Sequence, residues 1–432
     1  MTDANEPIAL DRRSFLKVAG VGAGVFGAGI DAASVAAQPR RSVRRSADIL
    51  VIGAGVFGGW TALHLQRMGA QVTLVDMYGP GNSRATSGGE TRGVRSSYGE
   101  EHLTWVRWAN LAMQRWKQWD EEWRDRLDAP LFYTSGDIIL RANPEEPIIR
   151  STRTAWDQLR IPYEALTPDE VRYRWPVIDV SEFTTALYEP NAGVVRARAA
   201  CLAVAKAFQQ AGGRIQIGRA ELVHAASGNG ATRVLIDGQP VAASQYVFAC
   251  GPWLAKVLPD VMGKRLRTPL GHVFYYGTPP GDERFSWPNL PSYNVPSTTG
   301  WPALPPDNRG FRVRTGGQQP SDPDQSVRWV PPDGHERPRA ILTSYFPLLA
   351  HAPVVETRAC HYESTVHRNF IIARHPAHED VWIAGGGSAE AFKQGPVLGD
   401  YIAHRVLGVE TSLAGADEFA IPAEEFEEEE KK

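Results

Sequence analysis

Three glycines and one aspartate are spaced for chemistry on a phosphate. In ADILVIGAGVFGGWTALHLQRMGAQVTLVD, Gly53, Gly55 and Gly58 form the pattern G-x-G-x-x-G, with Asp76 at the end of the stretch. Gly53 suits a tight turn, Gly55 lets the backbone approach a pyrophosphate, and Gly58 lets a helix lie close to a strand. Val56 and Phe57 stand at the helix entrance, where the positive end of the helix faces phosphate, and Asp76 can take a ribose hydroxyl. That chemistry needs a strand, a turn, a helix and a second strand in that order. DILVI is apolar enough to be a strand buried on both faces. Ala62, Leu63, Leu65 and Met68 then repeat at helical spacing, Gly69 closes the helix, and QVTLVD is the second strand.

The hexapeptide GAGVFG also occurs at Gly22 to Gly27, without a strand before it or an acid-tipped strand after it. What precedes it is Arg12, Arg13, Ser14, Phe15, Leu16 and Lys17, followed by a small-residue apolar run from Val18 to Ile30. This resembles a twin-arginine signal, with a cut expected after Ala37. The run is short of the ~20 strongly apolar residues of a membrane anchor, so no permanent anchor is expected. Residues 1–37 are therefore expected to be a signal peptide and 38–47 a linker. That predicts a bacterial protein handed to the twin-arginine export machinery with its cofactor inserted, for the periplasm, cell envelope or exterior.

The 432 residues are enough for two domains, and 22% charged against 43% apolar residues is ordinary for a globular protein. A net charge of −3 argues against a nucleic-acid partner. Cys201, Cys250 and Cys360 make no disulfide framework, and the histidines show no metal-binding spacing, so no metal is expected. Cys201 and Cys250 sit in apolar surroundings and are expected to be buried and unreactive. Trp105, Trp108, Trp116, Trp119 and Trp123 fall at helical spacing and predict the buried face of a helix. The terminal AEEFEEEEKK is expected to be a solvated, frayed acidic tail over 421–432.

Beyond Asp76, the segments GGETRGVRSSYGE, RWPVI, YEPNAGVV, FACGPW, RACHYESTVHRNFIIARHP and AFKQGPVLG occur in turn. Between about Asp48 and Gly408 these make the chain resemble the monomeric sarcosine oxidase family of D-amino-acid-oxidase-like flavoproteins. The resemblance implies an α/β (mixed α+β) fold: an FAD-binding Rossmann-like domain and an interleaved substrate domain on a mixed β-sheet. The FAD domain is expected over 48–98, 186–262 and 359–420, and the substrate domain over 99–185 and 263–358. It implies that Cys360 carries FAD through a thioether. Arg95 and Lys393 would hold a substrate carboxylate, and Arg92 would steady the reduced cofactor. Ser87, Thr91, Ala220, Cys250, Gly251, Trp253, Gly386, Ser388 and Lys393 would join the glycine loop around FAD.

The chain departs from that family in places. Arg312 stands where the family has an oxygen-activating lysine, and Gly88, Gly316 and Glu390 stand where it has histidines. No tyrosine in STTGWPALPPDNRG matches the family's active-site tyrosine. Glu390 would suit a second cationic group on the substrate, or simply a solvated helix entry. The expected activity is oxidation of a secondary or N-alkylated amino acid, with oxygen as acceptor and hydrogen peroxide as product. An FAD-dependent dehydrogenase using another electron acceptor, or a non-catalytic flavin-binding protein, are the alternatives.

Overall fold

The computed structural model describes residues 48–223, 233–305, 309–413 and 418–427. The expected signal peptide and linker, and residues 428–432 of the expected tail, lie outside the described residues.

The strand Asp48–Ile52 is buried from its second residue on, as its apolar run requires. It lies between two parallel neighbours, Gln71–Asp76 and Gln245–Phe248. The six-stranded sheet runs Ile371–His375, His378–Gly385, Gln245–Phe248, Asp48–Ile52, Gln71–Asp76, Arg214–Ile217. Only its edge strand Ile371–His375 is antiparallel to its neighbour. The helices Val56–Arg67, Ala197–Gln210 and Gly395–Leu407 share a core with this sheet, built on residues such as Val51, Leu63, Phe208 and Tyr401.

An eight-stranded mixed sheet runs Val354–His361, Leu270–Tyr276, Phe311–Thr315, Thr298–Trp301, Ser292–Val295, Asp137–Arg141, Thr185–Glu189, Glu164–Leu166. Its single parallel pairing joins Ser292–Val295 to Asp137–Arg141. Two of its strands, Thr185–Glu189 and Val354–His361, contain residues 186 and 359 and lie wholly in this sheet. A small sheet of Thr91–Val94, Gly193–Arg196 and Phe132–Tyr133, and a meander of Ala220–Val223, Arg233–Ile236 and Gln239–Val241, complete the β structure.

All five tryptophans of the predicted stripe are buried on the helix Leu103–Trp123. Three of them, Trp116, Trp119 and Trp123, pack on Trp60 of the helix Val56–Arg67, whose ring centroid lies 5.3 Å from Trp116 and 5.2 Å from Trp119. The tail differs from expectation over 421–427. Phe426 donates its backbone N–H to the Lys264 carbonyl at 2.9 Å, and Glu425 pairs with Arg265 at 2.9 Å. The Arg267 guanidinium lies 4.4 Å from the Phe426 ring centroid. A basic stretch at 264–267 answers the acidic one, and the single aromatic residue of the tail supplies the apolar contact.

Candidate active site

The glycine loop is held by close backbone contacts and by two side chains, Asp76 and Ser87. Gly53 has φ +104°, and a Cβ there would lie 2.2 Å from the Ala249 carbonyl oxygen. A Cβ on Gly58 would lie 1.8 Å from the Gly53 carbonyl oxygen, so the helix can sit on the strand's turn only as glycine. The Asp76 carboxylate accepts from the backbone N–H groups of Ala54, Tyr78 and Gly79 at 2.7, 2.8 and 2.7 Å. Burial raises its pKa above the ordinary value, and those three amides oppose the rise. Ser87 reaches the helix entrance, where its Oγ accepts from Val56 N–H at 3.0 Å.

One cavity of about 760 Å³ takes in this loop, Asp76, Trp253 and Lys256 as well as Cys360, Arg95 and Lys393. At its rim Asp324 joins three elements: it accepts from Trp253 Nε1 at 2.7 Å, pairs with Lys256, and lies 3.6 Å from Arg84. Close backbone approach at Gly53, an acid at the strand tip and a long cavity beside the helix entrance fit a dinucleotide. Cys360 lies on the strand Val354–His361. Its Sγ is 3.9 Å from Arg92 Nη2, and the same guanidinium donates to the carbonyls of Thr91, at 2.7 Å, and Thr86. The other two thiols differ: burial pushes both Cys201 and Cys250 up to about 12.

The rest of the cavity is charged. Lys393 is 4% exposed and pairs with Glu390. Burial pulls Lys393 down to about 8, against the attraction of Glu390 and with the repulsion of Arg95. Burial works against the Glu390 charge too, but Lys393 and Arg95 hold that carboxyl at about 2. The Tyr98 hydroxyl donates to Glu390 at 3.0 Å, and Lys393 Nζ lies 5.2 Å from the Tyr98 ring centroid. Burial also opposes the Arg95 charge, yet Glu390, Tyr98, Asp137 and Glu189 hold it above its ordinary value, and its Nε has no hydrogen-bond partner. The tryptophan stripe fixes this corner: Trp116 Nε1 donates to the Lys393 carbonyl at 2.8 Å.

The sequence family described as FAD dependent oxidoreductase matches residues 48–405. This chain belongs to that family. It is similar to monomeric sarcosine oxidase of Bacillus sp. (strain B-0618), 25% identical over 366 residues, 83% of this chain and 92% of that protein. It is similar to N-methyl-L-tryptophan oxidase of Escherichia coli (strain SMS-3-5 / SECEC), 26% identical over 370 residues, 82% of this chain and 94% of that protein. Two solved structures share the fold. Iminodiacetate oxidase from Chelativorans sp. BNC1 has a TM-score of 0.70 at 20% identity, covering 86% of this chain and 98% of that one. Amadoriase I from Aspergillus fumigatus has 0.71 at 22%, covering 86% and 88%. The mixed α/β architecture with an FAD-binding domain is that of the family.

In this FAD dependent oxidoreductase most of the singled-out residues meet in the one cavity. Gly53, Gly55, Val56, Phe57, Asp76, Ser87, Arg92, Arg95, Ala220, Cys250, Gly251, Trp253, Arg312, Cys360, Glu390 and Lys393 all line it. Gly58, Thr91, Gly386 and Ser388 do not. Gly58 packs helix on strand. Thr91 stands behind the wall, where its Oγ1 accepts from Trp301 Nε1 at 2.9 Å. Ser388 folds back to donate to the Gly386 carbonyl at 3.1 Å, which leaves Gly387 and Ala389 to face the cavity. Glu390 is no solvated entry, with a side chain 14% exposed, and its charge is already matched by Lys393. Arg312 lies with its Cζ 3.7 Å from the Trp301 ring centroid, and burial pulls it down to about 9.

Sequence reasoning passed over Arg314, Trp301 and Glu363, which also line the cavity, and Tyr98, which touches Glu390. Arg314 carried a signal: it repeats Arg312 at the two-residue period of a strand face.

Proposed function

We propose that this FAD dependent oxidoreductase oxidises a secondary or N-alkylated amino acid. The observation that carries the proposal is the pair of cations, Arg95 and Lys393, in the same cavity as the dinucleotide loop. Similarity to proteins named for sarcosine and N-methyl-L-tryptophan supports it. FAD would be held by the Gly53–Gly58 turn, Asp76, Ser87 and Arg92. When bound, it supplies the two-electron acceptor for a C–H bond next to nitrogen.

The chain's own residues bind and orient. The Arg95 fork takes a carboxylate bidentately, and its unpaired Nε is a donor in waiting. Lys393 approaches the same anion as a point charge, kept protonated near neutral pH by Glu390. Tyr98 and Trp116 hold Glu390 and Lys393 in place. The imine product takes up water to give an amine and a carbonyl compound, and dioxygen as final acceptor yields hydrogen peroxide. Arg312 in place of the family's lysine keeps a second reading open, in which another acceptor replaces dioxygen.

Cys360 is the cysteine proposed to carry FAD covalently, since its sulfur lines the cavity beside the Arg92 cation. Cofactor that stays with denatured wild-type protein but leaves Cys360→Ala supports the link; release from both removes it. The leader over 1–37 is proposed to direct export by the twin-arginine route, and a cell-fractionation comparison with R12K/R13K tests it. For the activity itself, a panel of secondary amino acids is added anaerobically and flavin bleaching is read. Bleaching by none of them defeats the proposal, and slow reoxidation in air moves the acceptor away from dioxygen.

A further inference from the structure

One substrate carboxylate leaves two arginines of this cavity without an anion. Arg312 and Arg314 alternate on the strand Phe311–Thr315, and both line the cavity. Arg312 is 2% exposed, and its Nε and Nη1 find no acceptor; Trp301 covers one face of the guanidinium. Arg314 has its Cζ 5.3 Å from the Tyr362 ring centroid and makes no salt bridge among the described residues. Its charge is felt at Lys393, so it lies at the same end as Arg95 and Lys393.

Among the carboxylates of the cavity Glu390 acts on Arg314, but it is shared with Lys393 and Arg95. Glu390 is bound by Lys393 and Tyr98. Glu363 accepts from Gly387 N–H at 3.1 Å, and burial favours its neutral form. Asp76 is engaged by the glycine loop. Gly271 flanks Arg314 on the neighbouring strand, where an added Cβ would stand at ordinary contact distance, 3.6 Å from its Nη2. A guanidinium taken out of water without an anion is costly, so a ligand that supplies the anion binds with a large advantage.

We infer that Arg314, backed by Arg312, forms a second anion subsite, and that the substrate is a secondary amine bearing two carboxylates. This rests on the proposed amino-acid oxidation but reads a property that does not need turnover. Arg95 and Lys393 hold the carboxylate next to the reacting carbon, and Arg314 holds the acid of the other arm. An N-carboxyalkyl amino acid has that spacing of charges, with the nitrogen between them.

The test compares two unreactive thioethers on the flavin-loaded enzyme, thiodiacetate with two carboxylates and methylthioacetate with one. Binding is read from the perturbed flavin absorption. Thiodiacetate is expected to bind tighter by about tenfold or more, and Arg314→Met to bring the ratio below about threefold, with the loss on the diacid. Arg314→Lys, which keeps the charge without the fork, is expected to fall between and guards against a folding defect in the first variant. Equal affinities in wild type overturn the subsite. So does an Arg314→Met enzyme that loses flavin while the ratio in its loaded fraction stands, since Arg314 would then serve the cofactor. Anaerobic bleaching by N-methylglycine and N-carboxymethylglycine is read in parallel. Bleaching by neither, with the analogue ratio intact, removes the amine-oxidation reading and keeps the subsite; bleaching by both with equal analogue affinities does the reverse.

Discussion

At the dinucleotide end of the cavity the grip comes from backbone. Gly53 and Gly58 work by what they lack, and the Asp76 carboxylate is bound by one amide of the glycine loop and two of the turn that follows the aspartate. At the other end the grip comes from long charged side chains, Arg95, Lys393 and Arg314, with Glu390 as the carboxylate they share. The first construction is steric. It tolerates no added atom and is largely indifferent to pH. The second is electrostatic. It tolerates changes of shape but depends on which groups carry a proton, and low polarity around it makes each charge count.

The largest effect should come from crowding the first end. Gly58→Ala puts a methyl 1.8 Å from the Gly53 oxygen, so the helix must lift off the strand. A cost of about 3 kcal/mol and loss of most of the bound flavin are expected, read from the thermal midpoint and the flavin-to-protein absorbance ratio. A fully loaded Gly58→Ala protein would break the contrast. Next is Lys393→Met, which leaves Glu390 buried beside Arg95 alone. Affinity for carboxylate analogues should fall by about a hundredfold while flavin content holds.

The pH response separates the ends further. Lys393 is lowered to about 8, so anion affinity should decline as pH rises through that value and the lysine turns neutral. Glu390 raises Lys393, so Glu390→Gln should move the decline to lower pH, as a titration of analogue binding would show. A decline that does not move would detach Glu390 from the lysine. The smallest effect is expected at the rim, where Asp324 meets Lys256 and Arg84 in half-exposed pairs. Asp324→Asn should cost less than about 1 kcal/mol by thermal unfolding, which marks how much burial adds to the same chemistry.

How much was legible in advance follows the same division. The steric end is written locally: strand, glycines, helix and acid lie within one run of sequence, and period and spacing reveal them. The charged end is assembled from 92–98, 312–314 and 390–393, and no local pattern says that these meet. Resemblance supplied Arg95 and Lys393, but it supplied neither Arg314 nor the Lys393–Glu390 pairing, and Glu390 is one of this chain's own departures from the family. Ser388 and Thr91 were placed one layer too far inward, because a motif fixes a residue's position along the chain and not which way its side chain turns. The frayed tail was expected from its composition, and the basic stretch that captures residues 421–427 lies far away in sequence.

The strand order of the six-stranded sheet sets a schedule for making the protein. Asp48–Ile52 is synthesised early, yet one of its two neighbours is Gln245–Phe248, whose own outer neighbour is His378–Gly385. Cys360 and Lys393 are later than almost everything they face. A chain still emerging from the ribosome therefore carries the glycine loop for most of its synthesis with no completed seat around it. Cofactor capture must wait until Cys360 and Lys393 have been made, and so must any process that requires a loaded protein.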